Sequence, residues 1–467
     1  MWTQSTWRVL CDQGGGVLLR NVSSKGAAGE KKKLVILGTG WGGFRLAREV
    51  DKKRYEVTVV SPRNHFLFTP LLPSTTVGTL EFRCIQEPVR TIKGLTYLQA
   101  HCADVRFMAY PTSSPHCACT NVDFHKKTLR CQEVFKGILL DLDYDYLVIA
   151  TGAQNNTFGV PGVKKENNVH FLKQLGDARD IRNRLLDCFE RAANPFLSDQ
   201  ERSRLLSFIV VGGGPTSVEY AAELHDFLTN DVKRWYPDLQ DKVSVHLVEA
   251  SDQIMGSFEE KLVEYTTRLL ENRKVNVLLN TAVQSVGEKV CTLVDGRKFP
   301  FGLMVWSTGL APLDLVKKMD VAKDRGRIAI DDWLRVTVLE GVFAMGDAAV
   351  NPQKPLGPLA QVADQQGKYL AKLFSKLDPL TEDNPPFHYR YLGSMAHVGG
   401  WKAVAEFKGI GSSGDSVSKP GLSLEGILAF ATWRSAYWTK TVSIANKVLI
   451  PMHWFKAWAF GRDISRF

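Results

Sequence analysis

The chain has 467 residues, which is enough for two or three domains. Hydrophobic residues make up 44% and charged residues 23%, a globular composition that excludes wholesale disorder. Lys and Arg exceed Asp and Glu by 59 − 49 = 10, an excess that fits a nucleic acid, an anionic membrane or a cationic targeting segment. The sequence has no uninterrupted apolar stretch of the length that a membrane-spanning helix needs.

Cysteine usage is sparse. The eight cysteines include no CxxC pair, which argues against a disulfide-stapled secreted domain and against a dithiol reductase. His116, Cys117, Cys119 and His125 lie close together, but their spacing fits structural zinc poorly. We therefore predict no metal site.

The N-terminal segment, residues 1–32, has the composition of a mitochondrial transit peptide. It contains Arg8, Arg20 and Lys25 with several Ser and Thr residues, and only two acidic residues occur in the first 30. Its apolar runs are too short for a secretory signal. A disordered extension is the alternative to a transit peptide.

The first predicted strand, residues 33–37, is a continuous apolar run typical of a central parallel strand. It leads into a GxGxxG pattern, a helical segment and a second strand, which together predict a dinucleotide-binding βαβ unit. Gly38 permits the tight turn, Gly40 lets a pyrophosphate approach the backbone, and Gly43 lets helix and strand pack closely. The second strand ends in Ser61 instead of the usual ribose-binding acid, so the ribose contact stays open.

A second βαβ unit follows downstream. The strand at residues 208–211 leads into Gly212-x-Gly214-x-x-Ser217 and a helix, and the next strand ends in Glu249. A carboxylate in this position hydrogen-bonds an adenosine ribose and repels a 2′-phosphate, which favours NADH over NADPH. The spacing between Gly214 and Glu249 is longer than usual because residues 230–241 extend the helix. The alternative is that Glu249 is a solvated surface residue without a ligand contact.

Further segments carry expected ligand contacts. Two strands end in Thr-Gly, at Thr151-Gly152 and at Thr308-Gly309, and these indicate crossing points between two nucleotide domains. A short strand ends in Gly346-Asp347, which we expect to meet the ribityl chain of FAD.

A helix is predicted to begin near Pro358, where a proline suits the first turn. Gln361 and Gln365 are four residues apart and share one face of it. This face is either a polar surface or the wall of a quinone site.

The C-terminal segment, residues 422–467, is aromatic and basic. It holds four of the 11 tryptophans, and its Lys and Arg residues outnumber its acids. Tryptophan-rich amphipathic helices with basic flanks suit the plane of a membrane interface. The alternative is a helix pair that closes a dimer or covers a sheet.

These segments together resemble the type II (alternative, single-subunit) NADH:quinone oxidoreductases of mitochondria. The similarity covers roughly residues 33–467. The matching stretches are GTGWGG at 38–43, SPRNHFLFTPLLP at 61–73, VGGGPTSVE at 211–219, AQVADQQG at 360–367 and the amphipathic tail.

The resemblance implies an α/β fold with two Rossmann-like dinucleotide-binding domains and a C-terminal amphipathic, membrane-anchoring helical segment. The implied domains are residues 33–163 and 303–390 for FAD, 164–302 for NADH and 391–467 for the membrane interface.

The resemblance and the residue patterns together assign the site residues. The expected contacts of non-covalent FAD are Gly38, Thr39, Gly40, Gly43, Ser61, Arg63, Thr151, Gly152, Gly346 and Asp347. The expected contacts of NADH are Gly212, Gly214, Pro215, Thr216, Glu249 and Gly309. Glu219 matches a family glutamate discussed as a proton relay, and Gln361 and Gln365 match the family's quinone-site glutamines.

The implied reaction is hydride transfer from NADH to N5 of FAD, followed by transfer of two electrons to ubiquinone without proton pumping. The implied location is the surface of the mitochondrial inner membrane, bound to its anionic lipids, with a homodimer possible and no nucleic-acid partner.

Three alternative functions stay open. A sulfide:quinone oxidoreductase needs juxtaposed redox cysteines, and sequence position alone does not exclude Cys84, Cys131 and Cys291. A soluble ferredoxin or flavoprotein reductase has no need of the tryptophan-rich tail. A protein that senses NADH without catalysis is a third class.

Overall fold

A computed structural model describes residues 31–102, 122–124, 126–376, 378–381, 383–407 and 422–465, and the backbone of two N-terminal strands. The chain divides into two compact units. Unit 1 holds the described parts of residues 1–66, 87–154 and 311–389, and unit 2 those of residues 67–86, 155–310 and 390–467.

Unit 1 is built on a sheet with parallel central strands. Lys32–Leu37 lies between Tyr55–Ser61 and Tyr146–Ile149, and all three run in parallel. Leu34 and Ile36 have no exposed surface because both faces of the sheet are covered, which accounts for the continuous apolar run. The strands follow the spatial order Trp7–Cys11, Val17–Asn21, Leu139–Asp143, Thr128–Glu133, Thr96–Cys102, Tyr55–Ser61, Lys32–Leu37, Tyr146–Ile149 and Val342–Ala344, with Val122–Asp123 paired to Thr128–Glu133.

Two helices of unit 1 pack closely on each other. They are Trp41–Glu49 and Ala360–Lys376. A Cβ atom on Gly367 would lie 2.5 Å from the carbonyl oxygen of Gly42, so only glycine permits this approach. Unit 1 also contains the short helix Asp314–Lys318 and a small sheet of Lys323–Asp324, Arg327–Ala329 and Ala349–Val350.

Unit 2 contains a second parallel sheet. Its order is Val169–Phe171, Leu303–Trp306, Ser207–Val211, Ser244–Val248 and Val275–Leu278. Two antiparallel three-stranded sheets accompany it: Val283–Val286 with Val290–Leu293 and Lys298–Pro300, and Ser394–Gly399 with Lys402–Phe407 and Leu422–Glu425. The main helices are Leu175–Ala192, Asp199–Leu205, Pro215–Phe227, Glu260–Asn272, Gly426–Lys440 and Ile444–Phe460.

The predicted extension after the second glycine loop is present but is not one continuous helix. Pro215–Phe227 is followed by a π-helical turn, Leu228–Val232, a short helical turn, Lys233–Trp235, and a 3₁₀ segment, Pro237–Lys242. Pro237 cannot donate a backbone hydrogen bond, so the α-helix cannot run through it.

The two strand–glycine loop–helix units confirm the predicted α/β fold class. Among the described residues, no helix combines the length and the hydropathy needed to cross a membrane. Residues 67–86 group with unit 2, which the sequence did not indicate, and so does the C-terminal segment from residue 390. The domain boundaries at 163, 302 and 390 stay predictions.

Two sequence expectations concern the less described regions. The strand Val17–Asn21 lies inside the segment expected to be a transit peptide, and it pairs in parallel with Leu139–Asp143. Cleavage of that segment stays a prediction. The four residues considered for zinc, His116, Cys117, Cys119 and His125, lie outside the described residues.

Candidate functional site

The first glycine loop makes a sharp turn at the end of Lys32–Leu37. Gly38 has a φ of +103°, and a Cβ atom there would lie 2.4 Å from the carbonyl oxygen of Ala150. Its backbone N–H donates to the carbonyl of Val60 at 2.8 Å. A side chain at this position is therefore excluded both by conformation and by space.

The two other glycines of this loop have different surroundings, with free space at Gly40 and close backbone packing at Gly43. Gly40 immediately precedes the helix Trp41–Glu49, and no atom lies within 4 Å of the position of a Cβ there. A Cβ on Gly43 would instead lie 2.1 Å from the carbonyl oxygen of Gly38. The helix N-terminus thus has free space in front of it, where backbone N–H groups favour an anion.

Ser61 closes the end of the second strand. Its hydroxyl lies 2.9 Å from the Thr39 hydroxyl in a buried contact and accepts a hydrogen bond from the Arg63 backbone N–H at 3.3 Å. Desolvation lowers the pKa of the Arg63 guanidinium, which nevertheless stays cationic at neutral pH. A buried cation without solvent is stabilised by an anionic partner.

Thr151 and Gly152 provide a further test of ligand fit. The Thr151 hydroxyl is buried and has no hydrogen-bond partner, although buried hydroxyls are normally satisfied. Gly152 has a φ of +73° with no atom within 4 Å of a Cβ position. An unsatisfied donor beside open space fits a polar group of a bound dinucleotide such as FAD.

The turn at Gly346 is fixed by a residue that the sequence analysis missed. The Gly346 backbone N–H donates to Oε1 of Gln366 at 2.7 Å, and Gln366 is buried in the helix Ala360–Lys376. A buried glutamine on an otherwise apolar helix face was the available signal. Asp347 follows directly in the same turn, Gly346–Ala348.

Gln361 and Gln365 lie on the helix Ala360–Lys376 and are both partly exposed. Asp364, to which no role was given, lies 3.6 Å from the Arg45 guanidinium and pairs the helix with Trp41–Glu49. The structure therefore keeps the two predicted quinone-site amides on a common helix within unit 1.

The second glycine loop has the same plan in unit 2. Gly212 has a φ of +110°, and no atom lies within 4 Å of a Cβ position on Gly214, which precedes the helix beginning at Pro215. Ser217 takes the place of the third glycine, and its hydroxyl donates to the carbonyl of Ser307 at 3.2 Å. Serine is thus accommodated with its side chain buried and hydrogen-bonded.

Glu249 lies at this loop. Its carboxylate accepts hydrogen bonds from the backbone N–H of Gly213, from the Ser251 backbone N–H at 2.8 Å and from the Ser251 hydroxyl. These donors fix the carboxylate beside the glycine loop. Thr216 lies in the first turn of the following helix.

Gly309 lies in a separate turn of unit 2. It has a φ of +62°, and a Cβ atom there would lie 2.4 Å from the ring of Phe158.

Glu219 is a buried carboxyl on the helix Pro215–Phe227, with 8% of its surface exposed. Its Oε1 accepts a hydrogen bond from the backbone N–H of His397 at 3.2 Å. Desolvation raises the pKa of Glu219 to about 8, and the nearby Glu223 acts in the same direction. The carboxyl is therefore mostly protonated at neutral pH and can donate a proton.

Glu223, one helical turn further, was not identified from the sequence. Its two carboxylate oxygens accept hydrogen bonds from the hydroxyls of Ser74 and Thr79, both at 2.6 Å. These contacts explain why residues 67–86 group with unit 2. Its spacing of four residues from Glu219 was the available signal.

The described cysteines bear on the alternative of a sulfide:quinone oxidoreductase, which needs juxtaposed redox cysteines. Five of the described cysteines are free thiols: Cys84, Cys102, Cys131, Cys188 and Cys291. Burial raises the pKa of Cys84 to about 11 and that of Cys291 to about 12, so neither is a thiolate at neutral pH. Cys131, the third candidate, lies opposite Cys102 in the neighbouring strand, and both are free thiols. Among the described residues, no group of three or more His, Cys, Asp or Glu side chains is arranged to hold a metal ion.

Two family models match the chain. The pyridine nucleotide-disulphide oxidoreductase model covers residues 32–367, and the NDH2 C-terminal domain model covers residues 391–463.

Similar proteins include a Dictyostelium discoideum protein named probable NADH dehydrogenase, 40% identical over 95% of this chain and 93% of the relative. A Solanum tuberosum protein named internal alternative NAD(P)H-ubiquinone oxidoreductase A1, mitochondrial, is 40% identical over 94% of this chain and 88% of its own length. The solved structure of NDH2 from Plasmodium falciparum in complex with NADH is 26% identical with a TM-score of 0.82, covering 93% of this chain and 100% of that one.

Proposed function

The chain belongs to the type II NADH dehydrogenase family, and on that premise we propose that it oxidises NADH with a bound FAD and reduces ubiquinone without pumping protons. The structural observation that carries the proposal is the pair of open glycine loops, one in each unit. At Gly40 and at Gly214, no atom lies within 4 Å of a Cβ position in front of a helix N-terminus. Each unit therefore has its own place for the pyrophosphate of a dinucleotide.

Unit 1 is the proposed FAD-binding unit. The loop around Gly40 would hold the pyrophosphate, Arg63 would supply a desolvated cation, and the unsatisfied Thr151 hydroxyl would hydrogen-bond the ligand. The Gly346-Asp347 turn would contact the ribityl chain. When bound, FAD supplies the redox chemistry, because it accepts a hydride from NADH and passes two electrons to a quinone.

Unit 2 is the proposed NADH-binding unit. The second glycine loop would hold the pyrophosphate of NADH, and Glu249, fixed by Gly213 and Ser251, would accept hydrogen bonds from the adenosine ribose. A phosphate on the 2′-hydroxyl would bring like charges together. This repulsion favours NADH over NADPH.

Glu219 is the proposed proton carrier of the reaction. A carboxyl with a pKa of about 8 holds its proton at neutral pH. It can transfer this proton to an acceptor that becomes more basic during the reaction. The reduction of a quinone to a quinol consumes two protons, so a buried proton donor suits the second half of the reaction.

Gln361 and Gln365 are the proposed quinone contacts. Their spacing places both amides on one helix face, and an amide N–H₂ group can donate to a quinone carbonyl oxygen.

The C-terminal helices are the proposed membrane contact. Large apolar side chains with at least 40% of their surface exposed form what we call the exposed tail face: Ile427, Leu428, Trp438, Ile444, Val448, Met452, Phe455, Trp458 and Phe460. Trp454 is not part of it, because it is 92% buried against Trp433 and Arg434. The simple sequence spacing of Trp454, Phe455 and Trp458 did not distinguish these two environments.

An exposed apolar surface with flanking lysines suits the interface of an anionic lipid leaflet. We place the protein on the mitochondrial inner membrane as a peripheral protein, in line with the mitochondrial name of the potato relative. A homodimer that buries the same face is the competing arrangement.

Steady-state kinetics test the function. The purified protein should be yellow and should oxidise NADH when a water-soluble ubiquinone analogue is supplied. A protein that binds NADH without turnover, or that reduces a ferredoxin but no quinone, would overturn the proposal.

A further inference from the structure

A cavity of 430 Å³ lies within unit 2, among the helices Pro215–Phe227, Gly426–Lys440 and Ile444–Phe460. Its volume is in the range of sites that bind small molecules. None of the residues proposed above to contact FAD, NADH or quinone lines it. The aromatic part of its wall consists of Trp401, Phe430, Trp433, Trp454 and Trp458.

The acidic side chains in the wall already have partners. Asp231 accepts hydrogen bonds from the Arg462 backbone N–H at 2.7 Å and from its guanidinium at 2.9 Å. Glu223 is bound by two hydroxyls and lies 3.6 Å from the same guanidinium. Asp226 accepts two hydrogen bonds from the backbone N–H of Gly400. These carboxylates therefore already have hydrogen-bond donors within the protein.

Arg434 differs from them. Its guanidinium carbon lies 4.4 Å from the ring centre of Trp454, 4.5 Å from that of Phe430 and 5.2 Å from that of Trp401. Desolvation lowers its pKa to about 10, so it is still a cation at neutral pH. Its Nε atom is buried without a hydrogen-bond partner, while the nearby Glu223 carboxylate acts to raise its pKa.

His397 adds a second unsatisfied group to the same wall. The side chain is 6% exposed, and its Nδ1 atom lies 3.6 Å from the Glu223 carboxylate without a hydrogen bond. Desolvation lowers its pKa, so the imidazole is neutral at pH 7 and can donate a hydrogen bond from one nitrogen. A desolvated cation and a buried neutral donor thus face one cavity whose wall combines polar groups with aromatic rings.

We propose that this cavity binds an amphipathic anion with one acidic headgroup and an apolar chain, of the fatty-acid or lysophospholipid class. The headgroup oxygens would bind Arg434 and His397, and the chain would lie against the aromatic rings. Trp458 belongs both to the cavity wall and to the exposed tail face, so a ligand chain can enter from a lipid surface.

Tryptophan quenching tests the proposal. Bromine atoms quench tryptophan fluorescence on contact. A dibrominated stearate should therefore quench the tryptophan fluorescence of the holoenzyme saturably, at concentrations below those at which the stearate forms micelles. Arg434→Met keeps an apolar stem but removes the charge, and should raise the dissociation constant at least ~10-fold, as for the loss of a charged hydrogen bond. Ala457→Leu should also weaken binding, because it fills the cavity while keeping every charge.

The matched control is Arg268→Met, which changes an exposed arginine of unit 2 outside the cavity and should leave the affinity unchanged. Equal dissociation constants in the wild type and both cavity variants would overturn the proposal, since quenching would then come from adsorption to the exposed tail face. If dibrominated stearyl alcohol bound as tightly as the dibrominated stearate, an acidic headgroup would not be required, and this result would also overturn the proposal. Displacement of the probe by inorganic phosphate or butyrate at matching concentrations would reduce the site to one for small anions and would also overturn it. The readout is binding, so these outcomes leave the proposed oxidoreductase activity untouched.

Discussion

The backbone N–H of His397 donates a hydrogen bond to Oε1 of Glu219 at 3.2 Å. This hydrogen bond only partly offsets the loss of solvent around the carboxyl, and desolvation raises the pKa of Glu219 to about 8. Structural carboxyls are usually paired with cations, whereas this one keeps its proton. A carboxyl of this kind behind a dinucleotide-binding loop is characteristic of a functional site.

The first prediction concerns stability and pH. Between about pH 5 and pH 8, folded Glu219 keeps a proton that the unfolded chain releases, because its pKa is 4.5 when unperturbed and about 8 in the fold. Its contribution to stability is therefore present at low pH and is lost as pH rises through this window. Glu219→Gln cannot ionise. Its free energy of unfolding should therefore rise relative to that of the wild type by up to about 1.4 kcal/mol for each pH unit in this window.

Thermal unfolding midpoints at several pH values check this. The gap in favour of Glu219→Gln should widen from pH 5 to pH 8, while an exposed control, Glu264→Gln, should track the wild type. A constant gap would show that Glu219 has an ordinary pKa.

The second prediction concerns cofactor choice. The wild-type enzyme should use NADH several-fold better than NADPH, because the Glu249 carboxylate would repel a 2′-phosphate. Glu249→Gln keeps a side-chain oxygen that can accept from Gly213 but removes the charge, so the ratio of kcat/KM values should narrow. Equal use of both cofactors by the wild type would contradict this assignment.

The third prediction separates the two half-reactions. Gln365→Ala should slow reoxidation of the flavin by quinone and leave its reduction by NADH nearly unchanged, because only quinone is expected to contact this amide. Stopped-flow absorbance resolves both phases. Gln353→Ala is the matched control on an exposed loop of unit 1. Slow reduction with normal reoxidation would remove Gln365 from the quinone site.

The fourth prediction concerns Gln366, which positions the turn of Gly346. Gln366→Met keeps the volume but leaves the Gly346 N–H without its acceptor. A buried donor without a partner costs about 1–3 kcal/mol, and we expect FAD to dissociate about tenfold more readily. Equilibrium dialysis with flavin fluorescence measures this. Unchanged FAD affinity, with Gln353→Met as control, would show that the turn holds without Gln366.

The order of strands, loops and helices was predictable, because the glycine spacing and the apolar runs are local features. Sequence patterns did not separate Trp454 from Phe455 and Trp458, since inward and outward faces of a largely apolar helix look alike. They also missed Glu223 and Arg434. Their significance depends on partners from distant segments, such as the hydroxyls of Ser74 and Thr79.

The fifth prediction concerns the tail. Deleting it would also remove Arg462 and leave the buried Asp231 without its cation, so point substitutions are the cleaner test. Phe455→Ser and Trp458→Ser should each lower liposome affinity, since each buried aromatic contributes roughly 1.5–3 kcal/mol. Phe196→Ser, at an exposed phenylalanine outside the tail, is the control.

Flotation and light scattering on the same samples distinguish the two arrangements. Loss of flotation without a change in mass supports membrane contact, and conversion of a dimer to a monomer with unchanged lipid affinity supports a dimer interface. Full retention of both Phe455→Ser and Trp458→Ser on liposomes would contradict the membrane contact.

The central claim is that one chain carries electrons from NADH to ubiquinone through a bound flavin. Anaerobic double-mixing stopped-flow tests it most directly. NADH should bleach the visible flavin band, and a second mix with short-chain ubiquinone should restore it fully at a rate that supports turnover. A band that NADH bleaches but ubiquinone does not restore would contradict the account.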